Sequence, residues 1–142
     1  MPDFISTSKT YSIKTQGHDQ IIDITDRVIR FVEESGVQSG QVTIFTPGAI
    51  ASVTTIEYEP GLLQDIPALL DELIPIKKNW AHNQTWGDGN GGSHIRATLI
   101  GPSMSVPVID GEMTLGTWQQ IIVIDHDVKS RNRQIVLQII GQ

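Results

Sequence analysis

The sequence predicts a single α+β domain, built on a mainly antiparallel or mixed β-sheet of about seven to nine strands with two main helices. Short β-branched runs recur along most of the 142 residues. Only two stretches show a clear helical spacing of apolar residues. Turn-forming pairs separate many of the runs, and the clearest are Pro47-Gly48, Pro60-Gly61 and Asp110-Gly111. No linker or internal repeat interrupts the chain, so the domain is predicted to span residues 1–142.

Composition restricts the classes of function. A chain of 142 residues buries a sizeable core without cross-links. The absence of cysteine excludes disulfides and thiolate metal ligands, and it fits a reducing cytoplasm. A formal net charge of -6 argues against nucleic acid as a partner. Because no segment resembles a secretory signal or a membrane span, we expect a cytoplasmic protein with no membrane partner.

The first third of the chain is predicted to hold two strands and one helix. Residues 11–14 and 20–24 are short, partly apolar runs, which predict strands joined by a turn. Apolar residues then recur at helical spacing at Val28, Ile29, Phe31 and Val32. With Thr25 as the N-cap and Gly36 as a left-handed stop, the predicted helix covers residues 26–35.

Two further strands and a second helix are predicted next. β-Branched residues favour strands at 41–46 and 51–57. Leucine and isoleucine residues then recur at helical spacing, but Pro67 would break a helix interior. Placing Asp65 at the N-cap puts Pro67 in the first turn, where its missing N–H has no cost. The predicted helix therefore runs from Ile66 to Ile74.

The last third is predicted to contain strands only. Residues 93–100 and 105–108 are predicted strands on either side of a Gly-Pro turn. The segments 120–125 and 134–140 are rich in isoleucine and valine. We expect these two segments to be buried antiparallel partners, joined by a charged, solvated turn at residues 127–133.

Residues capable of chemistry concentrate in the stretch 79–119, which holds all three tryptophans and two of the four histidines. His82 and His94 flank Asp88, and imidazoles with a carboxylate are usual ligands for zinc and similar metals. The same two histidines can instead converge as an acid and a base. The alternative is that each imidazole only completes a hydrogen bond in a turn or in the core.

The loop between these histidines is rich in glycine. Glycines such as Gly89 let the backbone approach a ligand closely, and successive N–H groups can form an anion nest around Asn90. Arg96 follows as a candidate phosphate ligand. A flexible surface turn is the alternative for this loop, and the sequence supports it at least as well.

Three further candidates lie outside this loop. Glu57 shares one face of a predicted strand with Glu59, and a buried carboxylate there would need a metal, histidine or arginine partner. Trp118 can wall an apolar pocket, and Gln119 can offer a donor and an acceptor to a ligand. The alternatives are solvated carboxylates and a core tryptophan.

At these residues the chain resembles the YjbQ-like family, also called the secondary thiamine-phosphate synthase family. The resemblance covers nearly the whole chain. It is carried by Asp23-Ile24-Thr25, Glu57, His82, the segment GDGNGGSHIRATLIGPS at 87–103, Val106-Pro107-Val108, LGTWQ at 115–119 and the turn at 127–133.

The resemblance implies a compact subunit that assembles as a homotrimer, with polar sites near the subunit interfaces. His82 and His94 match family histidines that look like metal- or phosphate-site residues. Some members show weak thiamine-phosphate synthase activity, which joins a pyrimidine pyrophosphate to a thiazole phosphate. The implied cofactor is a divalent metal (zinc, nickel or magnesium), and the implied ligand is a small phosphorylated molecule or anion.

The chain departs from the family pattern at one place. Many members have His-Thr-Thr where this chain has Gly48-Ala49-Ile50, so a three-histidine metal site does not carry over. We expect either a weak enzyme for a phosphorylated substrate or a non-enzymatic trimeric module that binds a small anion or metabolite. The enzyme would use His82, His94, Asp88 and Glu57 for catalysis and Gly89, Asn90, Arg96, Trp118 and Gln119 for substrate binding.

Overall fold

Eight strands and four helices make up the computed structural model, which describes residues 3–142. The strands are β1 (Ile5–Thr15), β2 (Gln20–Asp23), β3 (Ser39–Phe45), β4 (Ala51–Ile56), β5 (Ser103–Ile109), β6 (Glu112–Met113), β7 (Gln120–Asp125) and β8 (Arg131–Gly141). The helices are α1 (Thr25–Ser35), α2 (Pro60–Leu73), α3 (Ala81–Trp86) and α4 (Gly91–Ile100). The first two residues of the predicted domain lie outside this range. Among the described residues, no helix combines the length and apolarity that a membrane crossing requires.

The strands form two antiparallel sheets, which confirms the predicted α+β class. One sheet has the order β1-β8-β3-β5-β6 and the other has the order β2-β7-β4. Period-two alternation turns one face of β3 and β8 inward, and this face forms a core with α1 and part of β7. The other face of β7 is covered by α2 and α4 through Leu63, Ile66 and Ile100. Because both of its faces are covered, β7 is apolar along nearly its whole length.

The first helix lies where its apolar stripe predicts it, with Val28, Phe31 and Val32 buried. It ends at Gly36, which is left-handed with φ 73°. Thr25, however, is not the N-cap. Its hydroxyl group donates to Asp23 Oδ1 at 2.6 Å and accepts from the Ile121 N–H at 2.8 Å. This side chain therefore ties the start of α1 to β7.

The prediction for the second helix was wrong at its start. Glu59 is the N-cap, because its carboxylate accepts from the N–H groups of Gly61 at 2.9 Å and Leu62 at 2.5 Å. Pro60 occupies the first helical position, where proline is favourable. The helix continues through Pro67. Glu59 is thus a capping residue, and because β4 ends at Ile56, it does not share a strand face with Glu57.

The predicted strand at 93–100 is a helix. Its inward positions Ser93, Arg96, Ala97 and Ile100 follow helical spacing, but two of these four residues are polar and hide the apolar period. Glycine at the start of α4 allows close packing. A Cβ atom on Gly91 would lie 2.8 Å from Trp80 Cβ and 2.8 Å from Asn83 Oδ1.

The predicted pairing of the last two strands was also wrong. β7 lies between β2 and β4, whereas β8 lies between β1 and β3. The first two strands, predicted to be joined by a turn, belong to different sheets, since β1 pairs with β8 from Ile5–Gly141 to Thr15–Arg131 and β2 pairs with β7. The connection after β7 therefore crosses from one sheet to the other. Three buried polar residues lie at its start: Asp125, which ends β7, and His126 and Asp127, which follow it.

Candidate active site

The predicted trio of His82, Asp88 and His94 lies together at the α3–α4 hairpin. The two imidazole centroids are 4.4 Å apart, and the ring planes are inclined by 44°. Asp88 Oδ1 lies 3.8 Å from His82 Nδ1, which permits electrostatic attraction but exceeds hydrogen-bond distance. The trio is referred to below as the histidine site.

Local backbone geometry brings these side chains together. The short helix α3 ends at Gly87 with φ 71°, and the chain turns again at Gly89 with φ 68°. Added Cβ atoms at these two glycines would meet open space, so the backbone conformation alone accounts for both residues. The Gly91 N–H donates to Asn83 Oδ1 at 2.7 Å and fastens α4 to α3. The glycine-rich loop is therefore explained by turns and close packing without a ligand.

The electrostatic surroundings keep the His94 ring neutral at neutral pH. Burial is the largest cause that lowers the pKa of His94 below its usual 6.5, and the neighbouring His82 lowers it further. The charges of Asp88 and Asp127 act in the opposite direction without restoring the usual value. A neutral imidazole accepts a proton or a metal ion, so His94 suits the role of a base or a ligand.

Three polar atoms in the same helix pair have no hydrogen-bond partner within residues 3–142. They are His82 Nδ1, Asn90 Oδ1 and Ser93 Oγ, and all three are shielded from solvent. Unpaired buried polar atoms are uncommon and costly, because each has lost its hydration without gaining a partner. Their concentration around the histidine site is typical of a place where water or a ligand supplies the missing partners.

The donor set falls short of a metal site within one chain. His82 and His94 offer two ligands, but no group of three histidine or acidic residues in the described range is placed to hold an ion. Gly48, where the family resemblance implies a histidine, has φ 117°, and a Cβ atom there would lie 3.7 Å from Arg133 Nη1. The two-histidine metal site stays a prediction.

Arg96 does not point to a ligand, contrary to the prediction for it. Its side chain is only 2% exposed, and its guanidinium pairs with Asp19 and with Asp71 at 2.9 Å. Its Nε and Nη2 atoms donate to the Ile74 carbonyl at 3.1 Å and 2.8 Å. With these donors engaged, Arg96 anchors the helix that carries His94.

A buried polar relay, which was not predicted from the sequence, is attached to this anchor. Asp19 Oδ1 lies 2.5 Å from His126 Nδ1, and His126 Nε2 lies 2.8 Å from Ser52 Oγ. This order resembles a Ser-His-Asp triad, but Ser52 is 0% exposed and His126 is 1% exposed. No substrate reaches such a serine, so the relay is structural. The sequence signal that could have indicated this relay is the polar triplet Asp125-His126-Asp127, which directly follows the apolar residues of β7.

The turn predicted to be solvated is held by buried ion pairs. Arg133 donates to Asp125 Oδ2 at 2.7 Å and to Asp127 Oδ2 at 2.9 Å. Burial alone would raise the pKa of Asp125, but hydrogen bonds from Arg133, Thr15 and the Asp127 N–H outweigh it and lower the pKa. These contacts fix Asp127, whose charge acts on His94.

The remaining predicted site residues lie at the end of the small sheet that is far from Asp127, whose charge acts on His94. Ala51 pairs with Asp125 at one end of the β4–β7 ladder, and Ile56 pairs with Gln120 at the other end, about 17 Å away. Glu57 and Gln119 lie at the Gln120 end, where Gln119 Nε2 donates to Thr55 Oγ1 at 3.2 Å. Trp118 is also at this end and is 71% exposed, so it belongs neither to the core nor to a closed pocket wall. A single chain therefore divides the predicted site between two ends of the small sheet.

Comparison with known proteins identifies relatives along almost the full chain. The family model for the UPF0047 protein YjbQ-like family matches residues 9–142. A UPF0047 protein of Methanothermobacter thermautotrophicus is 37% identical over 92% of this chain and 89% of the relative. One of Archaeoglobus fulgidus is 39% identical over 88% of this chain and 95% of the relative. The crystal structure of a YbjQ-like protein of unknown function from Sulfolobus solfataricus superimposes with a TM-score of 0.87 over 96% of this chain and 99% of that chain, and the two sequences are 31% identical.

Proposed function

This chain belongs to the UPF0047 protein YjbQ-like family, and from that membership we propose an enzyme that uses His82 and His94 as acid and base on a small phosphorylated substrate. The observation that carries the proposal is the side-by-side pair of imidazoles with a centroid distance of 4.4 Å. The Asp88 carboxylate lies beside His82 Nδ1. A carboxylate in this position favours the imidazole tautomer that carries its proton on Nδ1. His94, held neutral, is the complementary proton acceptor.

The substrate class follows from the donors around the histidines. Asn90 precedes the first turn of α4, and the N-terminus of a helix carries partial positive charge that favours phosphate. The proposed reaction is the joining of a pyrimidine pyrophosphate to a thiazole phosphate. We expect it to be slow, because Arg96 is not free to stabilise the departing pyrophosphate.

A turnover assay tests this proposal. With both substrates and magnesium, the wild-type protein should form thiamine phosphate, and the double variant His82→Ala, His94→Ala should fall to the background rate, because it has lost both proton-transfer groups. Leu99→Ala is the matched control, since Leu99 is 70% exposed on the same helix as His94. The control should keep the wild-type rate.

Equal rates for the wild type and the double variant would reject acid–base catalysis at the histidine site. A thermal-shift measurement with each substrate then tests the alternative, in which the protein is a binding module without catalytic activity. Binding to the folded state alone raises the melting temperature without turnover. Stabilisation that disappears in the double variant would support the module at the same site.

We also infer that the site is completed between neighbouring subunits of a homotrimer. Trp86 is 72% exposed at the last position of the helix that carries His82, and Trp118 is 71% exposed near the Gln120 end of the small sheet. Exposed large aromatic side chains are enriched at protein interfaces. Head-to-tail contacts between identical subunits join unlike ends and close into rings. Such a ring would bring Glu57 and Gln119 of one subunit to the histidine site of the next.

Subunit mixing tests this arrangement. The single variants His94→Ala and Glu57→Ala should each be inactive, but random co-assembly should restore about a quarter of the wild-type rate, because one site in four draws both residues from intact copies. The subunits are mixed by unfolding and refolding together, and wild-type protein that is unfolded and refolded in the same way is the control. The solution mass should be three times the subunit mass of 15.6 kDa. A monomeric mass, or a trimer without restored activity when both single variants are inactive, would contradict the shared site.

A further inference from the structure

A second polar cavity lies between the edge strand β1 and helix α1. Its volume is about 330 Å³. Lys9 and Tyr11 alternate on β1 and face it from one side, and Arg27, Arg30 and Glu34 face it from one side of α1. Phe31, which is buried, contributes an apolar wall. The term α1 cavity is used below for this space.

The α1 cavity is locally basic on an acidic protein. Three cations and one carboxylate line it, although the whole chain has a formal net charge of -6. Within residues 3–142, none of Lys9, Arg27 and Arg30 forms an ion pair. Unpaired cations grouped around a concave surface concentrate positive potential there. The cavity therefore favours an anionic occupant.

Tyr11 supplies a second, independent observation. Its hydroxyl group is shielded from solvent and has no hydrogen-bond partner among the described residues. Burial raises the pKa of Tyr11 to about 12, against the opposing charge of Arg27, so the phenol is a neutral donor at physiological pH. The Arg27 guanidinium lies 4.6 Å from the centroid of the tyrosine ring, which holds that ring in place. A positioned but unsatisfied donor indicates a missing acceptor.

We propose that the α1 cavity binds a small organic phosphate, namely a phosphomonoester with an apolar body. Lys9, Arg30 and the Tyr11 hydroxyl group hold the phosphate oxygens, and the apolar body packs against Phe31. The volume lies within the range of small-molecule sites. Three cations match a dianion better than they match a single carboxylate. This site is separate from the histidine site and does not depend on the function proposed above.

Calorimetric titration with phenyl phosphate tests the proposal. The wild-type protein should bind this probe, and Arg30→Gln should weaken binding by about 10-fold or more, because a charge-assisted hydrogen bond to phosphate is lost. Tyr11→Phe should weaken it by a few-fold. Lys14→Gln is the matched control, since it removes one cation from β1 outside the cavity and should leave the affinity unchanged. His94→Ala should also bind normally.

Three results would overturn the proposal. They are no binding of phenyl phosphate at millimolar concentration, equal affinities for wild type and Arg30→Gln, and an affinity for benzoate that matches the affinity for phenyl phosphate. Inorganic phosphate that binds as tightly as phenyl phosphate would overturn the apolar part of the assignment. Arg30 is exposed, so its substitution does not threaten the fold, and an unchanged melting temperature confirms this for each variant.

Discussion

Replacing Arg96 with methionine should lower the free energy of unfolding by about 3–5 kcal/mol, because the change leaves the buried carboxylate of Asp19 without its cation. The side chains of Arg96 and Asp19 are each 2% exposed, so water cannot replace the lost partner. The Ile74 carbonyl would also lose both of its donors from Arg96. His126 Nδ1 still lies 2.5 Å from Asp19 and offsets part of the cost. The urea midpoint should fall with an unchanged slope.

The matched control for this variant is Arg131→Met. The Arg131 side chain is 42% exposed and pairs with Asp127, which retains Arg133 as a second partner. The control should cost less than about 1 kcal/mol. Adding Asp19→Asn to Arg96→Met should recover part of the loss, because it removes the unpaired buried charge. If Arg96→Met costs no more than the control, the anchoring role assigned to Arg96 is wrong.

Predictions of the fold succeeded where one local pattern decides the outcome. The apolar stripe of α1 and the alternation within β3 and β5 each specify a buried face without reference to distant residues. They failed for α4, where alternating Ile95, Ala97 and Leu99 resemble a strand. The buried face of that helix includes Arg96, and arginine becomes a core residue only when a partner such as Asp19 is brought to it.

For the site, too, the sequence pointed to residues that are close together along the chain and missed contacts between distant residues. His82, Asp88 and His94 meet because one short loop joins their two helices, so spacing alone suggested the trio. The Asp19–His126–Ser52 relay depends on the order β2-β7-β4, which brings together residues that are 107 and 74 positions apart along the chain. Sequence periodicity assigns faces to strands but does not specify which strands are neighbours. In the proposed homotrimer, the predicted roles of Glu57, Trp118 and Gln119 would depend on a neighbouring subunit, which the sequence of one chain does not place.

Replacing His94 with glutamine should reduce turnover by about 10²–10⁴-fold, because the amide offers hydrogen bonds but cannot accept the transferred proton. Nuclear magnetic resonance titration of the His94 ring supplies a readout that does not require activity. Its pKa lies below 6.5, first because of burial and then because of His82. The variant His82→Gln should therefore raise the pKa of His94, and Asp88→Asn should lower it further, because Asp88 is a neighbour that favours the charged ring.

The same lowered pKa makes folding stability depend on pH. Above 6.5 the His94 ring is neutral in both the folded and the unfolded chain, so its contribution to stability is complete. As pH falls below 6.5, the unfolded chain takes up a proton more readily than the folded chain, and stability declines towards the lower pKa of the folded state. His94→Gln has no proton to gain, so its loss of stability on acidification should be shallower than that of the wild type. Two results together would show that His82 and Asp88 do not control the protonation of His94. The curves of stability against pH would be parallel for wild type and His94→Gln, and the pKa of His94 would shift in the same direction in His82→Gln and in Asp88→Asn.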